Sequence, residues 1–401
     1  MKRSSACGLG LVIVLVMGAL GFRRSAAAQA EQHATPVPVF QYDPDWPKLG
    51  SHFGDKGNWI FGAIGDIAVD PANDHVWFIT RPHTLMKDET MAAEHPPIEG
   101  CCVPAPPVLE FDADGNFLRG WGGPGAGYDW PKTEHGIRID YRGNVWITGS
   151  GKGDNQILKF TQTGKFLLQI GHPGKSTGEN DTENLNEPTN TWLYPKTNEV
   201  FVTDGYINRR VIVFDADTGA YKRMWGAYGH KPDDSVARIR RFPFVGPQYL
   251  PIQSLLEGPP PQQFNLPHDI LISNDGLVYV ADRSNNRIQV FRPDGAFVKE
   301  AFVAKDVLGP VGTVIGIAFS PDRQQRYIYA LSGDERLRIL DRQTLRVIGQ
   351  FGRLGHFPGQ FYHVHGIAVD SKGNIYTAEA ASIGRRVQKF VFKGFSPASN
   401  Q

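Results

Sequence analysis

Three histidines of this chain, His135, His268 and His365, lie at the start of three similar segments. These segments are EHGIRIDYRGNVWITG, PHDILISNDGLVYVADR and HGIAVDSKGNIYTAEA. In each, the histidine is followed by alternating apolar residues and a turn that contains glycine, which predicts a β-hairpin. Three neutral imidazoles around one point, with a fourth position open, form the donor set of a catalytic zinc ion. The chemistry therefore depends on whether the fold brings these side chains together.

The same hairpin occurs six times along the chain. The copies begin at Ile64, Glu134, Pro188, Pro267, Val314 and His365. A third strand follows each copy, and a fourth follows five of them. Six such units predict an all-β, six-bladed β-propeller over residues 31–401, because one four-stranded sheet cannot bury both of its faces alone. Five or seven blades are the less favoured alternatives. The sixth unit lacks its fourth strand, and VPVFQYDP from Val37 is predicted to supply it and close the ring.

In a propeller the first strand of each blade lines a central channel. Alignment of the six first strands places one residue per blade at the mouth of the channel, and we call these six the channel-mouth positions. They are Gly65, His135, Thr189, His268, Ile315 and His365. A single histidine at a strand end is more often a surface or hydrogen-bonding residue. Three in alternate blades, however, are about 120° apart and converge on the axis, which predicts a metal site.

The ends of the second strands open onto the same face as the channel mouth. Asp204, Asp282, Arg209, Arg283 and Arg287 fit a structural pattern of the repeat, in which an aspartate caps a turn and an arginine pairs with it. Arg81 and Tyr206 depart from that pattern, so they are the better candidates for chemistry. His363 lies near the same face and is a candidate for a supporting or acid–base role.

These segments resemble NHL-repeat propellers over nearly the whole chain. Arg81, the segment DGYINRR, the PHDI stretch and the three histidines together resemble peptidyl-α-hydroxyglycine α-amidating lyases. The resemblance implies that His135, His268 and His365 hold zinc, with Tyr206 as general base and Arg81 as its electrostatic partner. Cleavage of a carbinolamide needs its hydroxyl proton removed while the C–N bond breaks. A metal that binds this hydroxyl makes it more acidic, and a cation makes a phenol a usable base.

Two departures limit the resemblance. The family has an acidic residue after the third histidine, where it holds calcium, but Gly366 follows His365 here. Asp66 or Asp269, with the carbonyl groups of Ile67 and Ile137, could supply a second metal site for calcium instead. Ile207 also stands after Tyr206 where the family has a cysteine. The alternatives are therefore a metal-dependent hydrolase or lactonase on the same fold, or a non-catalytic NHL propeller that binds a ligand.

Two insertions are predicted on the functional face, Pro82 to Pro107 and His230 to Asn265. Loops of this length usually carry function or are disordered, and we expect these to form walls of the substrate pocket. Cys101 and Cys102 are adjacent in the first insertion. A vicinal disulfide is favoured over metal binding or free thiols, because an exported protein reaches an oxidising compartment.

Residues 1–30 have the features of a secretory signal peptide: Lys2 and Arg3, an apolar stretch from Gly8 to Phe22, and Ala28-Gln29-Ala30. An uncleaved anchor is the alternative. Four of the chain's 42 basic residues and none of its 41 acidic residues lie in this segment. The near-balance of charge that remains gives no support for nucleic-acid or membrane-surface binding. We therefore expect a secreted or periplasmic protein whose partner is a small-molecule or peptide substrate.

Overall fold

The computed structural model describes residues 36–50, 53, 58–235, 258–307, 309 and 311–396. The strands of this part are, in chain order, β1 (Val37–Asp43), β2 (Trp59–Ile60), β3 (Ala63–Val69), β4 (Val76–Arg81), β5 (Val103–Pro104), β6 (Val108–Phe111), β7 (Phe117–Trp121), β8 (Glu134–Ile139), β9 (Val145–Gly149), β10 (Ile157–Phe160), β11 (Phe166–Ile170), β12 (Pro188–Tyr194), β13 (Glu199–Asp204), β14 (Arg210–Asp215), β15 (Tyr221–Trp225), β16 (Pro267–Ile272), β17 (Val278–Asp282), β18 (Arg287–Phe291), β19 (Phe297–Phe302), β20 (Ile317–Phe319), β21 (Tyr327–Ser332), β22 (Arg336–Asp341), β23 (Val347–Phe351), β24 (Val364–Val369), β25 (Ile375–Glu379) and β26 (Val387–Ser396). Short 3₁₀ helices occupy Pro82–Thr84, Lys87–Glu89, Met91–Ala93, Ala227–Gly229 and Arg283–Asn285.

Six antiparallel four-stranded sheets form the blades of a propeller. Blade one is β3-β4-β6-β7, blades two to five are β8 to β11, β12 to β15, β16 to β19 and β20 to β23, and blade six is β24-β25-β26-β1. The first strands β3, β8, β12, β16, β20 and β24 each contact the next one around the ring, and β24 returns to β3. The predicted all-β, six-bladed architecture is confirmed. The pair β2 and β5 adds a small parallel sheet to blade one.

The N-terminal strand closes the ring, as predicted. β1 runs antiparallel to β26, with Phe40 opposite Phe392. The ring of Phe40 packs 5.5 Å from that of Tyr329 and 5.6 Å from that of Phe351, both in blade five. β1 is the outermost strand of this sheet, so its pairing with β26 completes blade six and joins the two ends of the propeller in one blade, which closes the ring.

The hairpins form where the sequence changes from an apolar run to a polar turn. In blade two, the N–H of Gly143 donates to the carbonyl of Asp140 across 2.9 Å. Gly143 has a φ of +78°, a conformation that favours glycine. Apolar side chains from the facing sheets fill the space between adjacent blades; for example, Trp77 and Ile79 of blade one pack with Ile137 and Ile147 of blade two.

Buried ion pairs stabilise the turns of blades three and four. Asp204 binds Arg210 at 2.9 Å and Asp282 binds Arg287 at 2.7 Å, and all four side chains are 0% exposed. The structural interpretation of Asp204, Asp282 and Arg287 is thus confirmed. Arg209 instead pairs with Glu179, also at 2.9 Å, within the described part of the fold.

Several predictions concern residues outside the described ranges. The proposed signal peptide at residues 1–30 lies outside them, and so does the middle of the second insertion, residues 236–257. Within the described ranges, the helices are all too short or too polar to cross a bilayer.

Candidate functional site

The channel-mouth positions lie at irregularities of the first strands. The pairing register shifts by one or more residues around Gly65, His135, Thr189, His268 and His365. The extra residue of a β-bulge is left out of the strand ladder, so its side chain can be redirected. Here the bulges turn the three histidines toward the propeller axis.

The three imidazoles meet at the axis, and we call them the His triad. Their ring centroids are 5.0 Å apart for His135 and His268, and 4.7 Å apart for the two pairs that include His365. One ring nitrogen of each lies within 4.8 Å of the others, and all three residues are buried. The described residues contain no other cluster of three or more histidine, cysteine or acidic side chains with this geometry.

Each triad histidine is oriented by the blade next to its own. Nδ1 of His135 donates to the carbonyl of Thr189 (2.7 Å), Nδ1 of His268 to Ile315 (2.6 Å) and Nδ1 of His365 to Gly65 (2.6 Å). All three acceptors are channel-mouth residues. Donation by Nδ1 fixes the tautomer, so the lone pair of each Nε2 faces the axis, as in histidine ligands of metals.

The triad is neutral at physiological pH. Burial lowers the pKa of His135 to about 3, and the Arg81 guanidinium adds to this effect. Burial likewise lowers the pKa of His268 and of His365 well below the ordinary value. Neutral imidazole is the form that binds a metal ion, so the protonation state of the triad suits a metal ligand set.

Tyr206 places its phenol oxygen beside the triad. The hydroxyl lies 3.0 Å from Nε2 of His135 and 3.4 Å from Nε2 of His268. Its backbone is fixed just after β13, where the N–H of Tyr206 donates to the carbonyl of Glu187. The structure therefore brings the predicted base and the predicted metal ligands to one point.

Arg81 lies at the same site and is partly buried. Its Nε donates to the carbonyl of Glu134 at 2.6 Å. Burial lowers the pKa of Arg81, while the nearby Tyr206 and Glu134 favour its charged form. The carboxylate of Glu134, the residue before His135, also accepts the indole N–H of Trp130 at 2.8 Å. Sequence reasoning missed Glu134 because an acid at that position has no counterpart in the other repeats.

Arg283 contradicts the structural role that the repeat pattern gave it. Its neighbour Asp282 pairs with Arg287, and Arg283 turns to the axis, where Nη1 lies 3.1 Å from Nε2 of His268. Its Nε donates to the carbonyl of Val311. Arg283 has the same place in blade four that Arg81 has in blade one, and this equivalence could have been found in the sequence. Each arginine pairs with the residue two positions before the channel-mouth residue of its own blade.

Comparison with known proteins gives one matching repeat family and several relatives. The NHL repeat family matches residues 264–291, which include His268 and Arg283. NHL repeat-containing protein 3 of Mus musculus is 26% identical over 88% of this chain and 84% of its own length. Peptidyl-alpha-hydroxyglycine alpha-amidating lyase 2 of Drosophila melanogaster is 26% identical over 82% of this chain and 72% of its own. Peptidyl-glycine alpha-amidating monooxygenase of Mus musculus is 31% identical over 41% of this chain and 14% of its own.

The chain is an NHL-repeat six-bladed β-propeller. It is related to NHL repeat-containing protein 3 and to the amidating enzymes at about 26% identity.

His363 lies beside the triad of this NHL propeller without joining it. Its ring is nearly parallel to that of His365, at 6.4 Å between centroids. Burial lowers the pKa of His363 to about 4, with Arg283 and Arg81 contributing. A neutral imidazole at this place can accept a proton or hydrogen bond from a substrate, which keeps the predicted supporting role open.

The residues predicted for a second metal form a hydrogen-bonded network below the triad. Asn190 Nδ2 donates to Asp66 Oδ2 and to Asp269 Oδ1, each at 3.0 Å. Arg138 binds Asp269 at 3.2 Å, and the N–H of Ile137 donates to Asp66 at 3.3 Å. Donors and a cation already satisfy these carboxylates, so they do not fit a calcium ion well. Calcium bound by Asp66, Ile67, Ile137 and Asp269 stays a prediction.

The space around Gly366 accounts for the absence of an acidic residue directly after His365. A Cβ atom at this residue would lie 2.6 Å from Oδ1 of Asp66 and 2.9 Å from its Cα. The carboxylate of blade one therefore occupies the space that a side chain at residue 366 would need, and only glycine fits against it.

The far end of the channel is separate from the triad. A cavity of about 550 Å³ lies between the ends of the first strands on the opposite face, with Arg138 and Trp192 among its lining residues. Arg138 stacks on Trp192 at 5.2 Å and pairs with Asp269. This layer of side chains lies across the channel, so the triad is approached from the face where the first strands begin.

The blade-one insertion, residues 82–107, contains the two adjacent cysteines. Cys101 and Cys102 are joined there as a vicinal disulfide. They directly precede β5, whose pairing with β2 ties the insertion to the segment before blade one.

Proposed function

We propose that this NHL propeller is a zinc-dependent lyase that breaks the C–N bond of an N-acyl-α-hydroxyglycine or a similar carbinolamide. One observation carries the proposal: the Tyr206 hydroxyl lies within hydrogen-bonding distance of two of three buried, neutral imidazoles that share one axis. The relationship to amidating lyases at about 26% identity supports the same reaction class.

The triad fits a zinc ion by its chemistry. The three donors are neutral nitrogens, each oriented by a carbonyl group, and no carboxylate competes with them within the cluster. Zinc held by His135, His268 and His365 would supply a Lewis acid for the substrate hydroxyl.

The proposed reaction balances without water or a redox partner. R–CO–NH–CH(OH)–COO⁻ gives R–CO–NH₂ and the aldehyde OHC–COO⁻. The C–N bond breaks and its electron pair goes to nitrogen, while the hydroxyl oxygen loses its proton and becomes the aldehyde oxygen. Nitrogen gains one proton, so a single group can carry the proton from oxygen to nitrogen. We assign this role to Tyr206, whose hydroxyl lies beside the triad and near the guanidinium of Arg81.

Arg283 and Arg81 give the site the means to bind a substrate carboxylate. Both are arginines at the axis, and Arg283 donates to a backbone carbonyl and to an imidazole. A guanidinium of this kind binds a carboxylate well, because its fork matches two carboxylate oxygens. We assign to Arg283 the orientation of the substrate carboxylate.

Metal content and product analysis test the proposal. We expect one zinc per chain by elemental analysis, loss of turnover with a chelator, and recovery on addition of zinc. Turnover of an N-acyl-α-hydroxyglycine should release amide and glyoxylate in equal amounts. The double variant His135→Ala/His268→Ala should bind no zinc and be inactive, whereas His172→Ala, on an exposed histidine, should match the wild type.

The alternatives give different results in the same experiments. Full activity in the double histidine variant would overturn the proposal. Hydrolysis of an ester or lactone without any release of glyoxylate would identify a hydrolase instead. A protein that contains no metal after purification and gains none from zinc would be a non-catalytic binding propeller.

We also propose that the protein acts outside the cytoplasm, secreted or periplasmic, on a small-molecule or peptide substrate. The features of residues 1–30 and the near-balance of charge support this location. Fractionation of cells that express the full chain tests it, and recovery in the cytosol would contradict it.

A further inference from the structure

The most exposed large apolar side chains of the described residues all lie in loops on the face of the triad. Five of them are between 62% and 75% exposed, and no other large apolar residue in the described ranges exceeds 52%. We call them the apolar rim: Met86, Ile98, Leu354, Phe357 and Ile383. A group of this kind is costly to leave in water, and its concentration on one face indicates contact with an apolar ligand or surface.

The topology places the whole rim at the channel mouth. Met86 and Ile98 lie in the blade-one insertion, which joins β4 to β6. Leu354 and Phe357 lie between β23 and β24, and Ile383 lies between β25 and β26. These are connections from second to third strand, or from a fourth strand to the next blade, and both kinds open onto the face where the first strands begin.

Two arginines hold these loops together. Arg386 donates to the carbonyls of Gly355 (3.0 Å) and Gln360 (2.7 Å), and its Nε binds Glu379 at 2.7 Å. Arg385 pairs with Glu89, which lies in the blade-one insertion. The rim therefore lies on loops that are linked to one another, so its exposed side chains have a defined position relative to the triad.

The rim continues directly into the site. The loop that carries Phe357 ends at His363, whose carbonyl accepts the N–H of Ala380 at 3.1 Å and whose ring faces His365. The loop from Ala380 then leads to Ile383. A ligand with its reacting atoms at the triad would reach the rim by extending along blade six.

The two parts of this surface have opposite character. Arg81 and Arg283 supply positive charge at the axis, and the rim supplies apolar contact beside it. An amphiphilic molecule, with a carboxylate at one end and a large apolar group at the other, matches both parts. A purely polar peptide matches only the first.

We propose that the apolar rim binds a large apolar N-acyl group of the substrate, so that this propeller prefers N-acyl-α-hydroxyglycines with an apolar acyl part. This inference rests on the proposed function for the identity of the reacting group. The acyl part can come from a peptide that ends in an apolar residue or from an alkyl chain, since both present the same chemistry to the rim.

Binding of unreactive analogues tests the rim without any turnover. Calorimetry of the zinc-loaded protein would compare N-acetylglycine, N-octanoylglycine and N-acetylphenylalanylglycine. We expect at least one of the two apolar ligands to bind about tenfold or more tightly than N-acetylglycine. The double variant Phe357→Ser/Ile383→Ser should reduce this ratio to below about threefold, while its affinity for N-acetylglycine stays unchanged. Tighter binding of N-octanoylglycine would indicate an alkyl chain as the acyl part, and tighter binding of N-acetylphenylalanylglycine would indicate a peptide.

The control variant is Leu118→Ser/Val347→Ser, which removes two exposed apolar side chains from the outer strands β7 and β23. It should keep the wild-type ratio. Equal binding of polar and apolar ligands by the wild type, or an unchanged ratio in the rim variant, would overturn the rim proposal. Rim-dependent binding to phosphatidylcholine vesicles with no ligand preference would also overturn it, in favour of a membrane contact. If the protein prefers apolar N-acylglycines but turns over none of the corresponding N-acyl-α-hydroxyglycines, the rim proposal would stand and the proposed lyase activity would be wrong.

Discussion

Arg283 donates a hydrogen bond from Nη1 to Nε2 of His268 across 3.1 Å, while Nδ1 of the same imidazole donates to the carbonyl of Ile315. The arginine therefore occupies the lone pair through which His268 would bind a metal. A metal ion can use all three histidines only if this guanidinium moves aside. Arg283 thus opposes the metal by its charge and by its hydrogen bond, although it is well placed for a substrate carboxylate.

Replacement of Arg283 by methionine should separate these two effects. Zinc affinity should rise by about tenfold, because a charge-assisted hydrogen bond contributes about 1.5–3 kcal/mol and part of that contribution is recovered elsewhere. The KM for a carboxylate substrate should rise, because the guanidinium that binds the carboxylate is lost. Competition with a zinc-binding dye and steady-state kinetics measure the two quantities. Arg142→Met, on an exposed arginine, is the control; weaker zinc binding in Arg283→Met would contradict the argument.

Tyr206→Phe should remove the proton carrier while keeping the metal site. Phenylalanine keeps the ring that packs edge-on against His135 and His268, at 5.1 Å and 5.9 Å between centroids, and loses only the hydroxyl, so all three Nδ1–carbonyl hydrogen bonds should stay intact. We expect turnover to fall by about 10²- to 10⁴-fold, with one zinc per chain retained and stability nearly unchanged. A variant with wild-type turnover would exclude Tyr206 as the base and would make His363 the next residue to test.

The repeat pattern predicted the fold and the triad because apolar alternation and turn residues recur in every blade. It could not predict the bulges that turn His135, His268 and His365 to the axis, since these bulges lie at the starts of their strands, before the apolar alternation begins. Arg283 was misassigned because its neighbours Asp282 and Arg287 satisfy the structural pattern by themselves.

Gly366 shows a different limit of sequence reasoning. Its meaning depends on Asp66, a residue 300 positions away in the chain that contacts it across the junction of blades six and one. Such a contact is visible only after the ring has closed. Glu134 is similar, because its position beside Arg81 follows from the packing of blade two against blade one.

The buried pair Asp282–Arg287 should be important for stability. Both side chains are 0% exposed, and the other oxygen of Asp282 accepts the N–H of Asn265 at 2.7 Å. Asp282→Ala removes the closer of the two carboxylates that pair with the buried Arg287 guanidinium and leaves only Glu300 at 3.2 Å, so we expect the free energy of unfolding to fall by about 3 kcal/mol. Asp217→Ala breaks the exposed pair with Arg142 and should cost at most about 1 kcal/mol. Denaturant titration measures both, and similar losses in the two variants would contradict the role of burial.

Glu379 should make stability depend on pH. Its carboxyl is 0% exposed, and burial raises its pKa to about 7 even though Arg386 binds it at 2.7 Å. Between its ordinary pKa of 4.5 and about 7, the native protein keeps a proton that the unfolded chain has lost. The contribution of this group to stability is therefore complete below pH 4.5 and is lost as the pH rises through about 7.

The variant Glu379→Gln isolates this effect, because glutamine keeps the shape of the side chain and cannot titrate. The free energy of unfolding of the wild type, relative to this variant, should fall by up to about 3 kcal/mol between pH 4.5 and pH 8. Glu199→Gln is a control of opposite sign: Arg223 lowers the pKa of Glu199, so its contribution is present at neutral pH and is lost on acidification. Denaturant titrations at several pH values test both. Parallel curves for the wild type and Glu379→Gln would show that Arg386 keeps Glu379 ionised, because ion pairing would then outweigh the cost of burial.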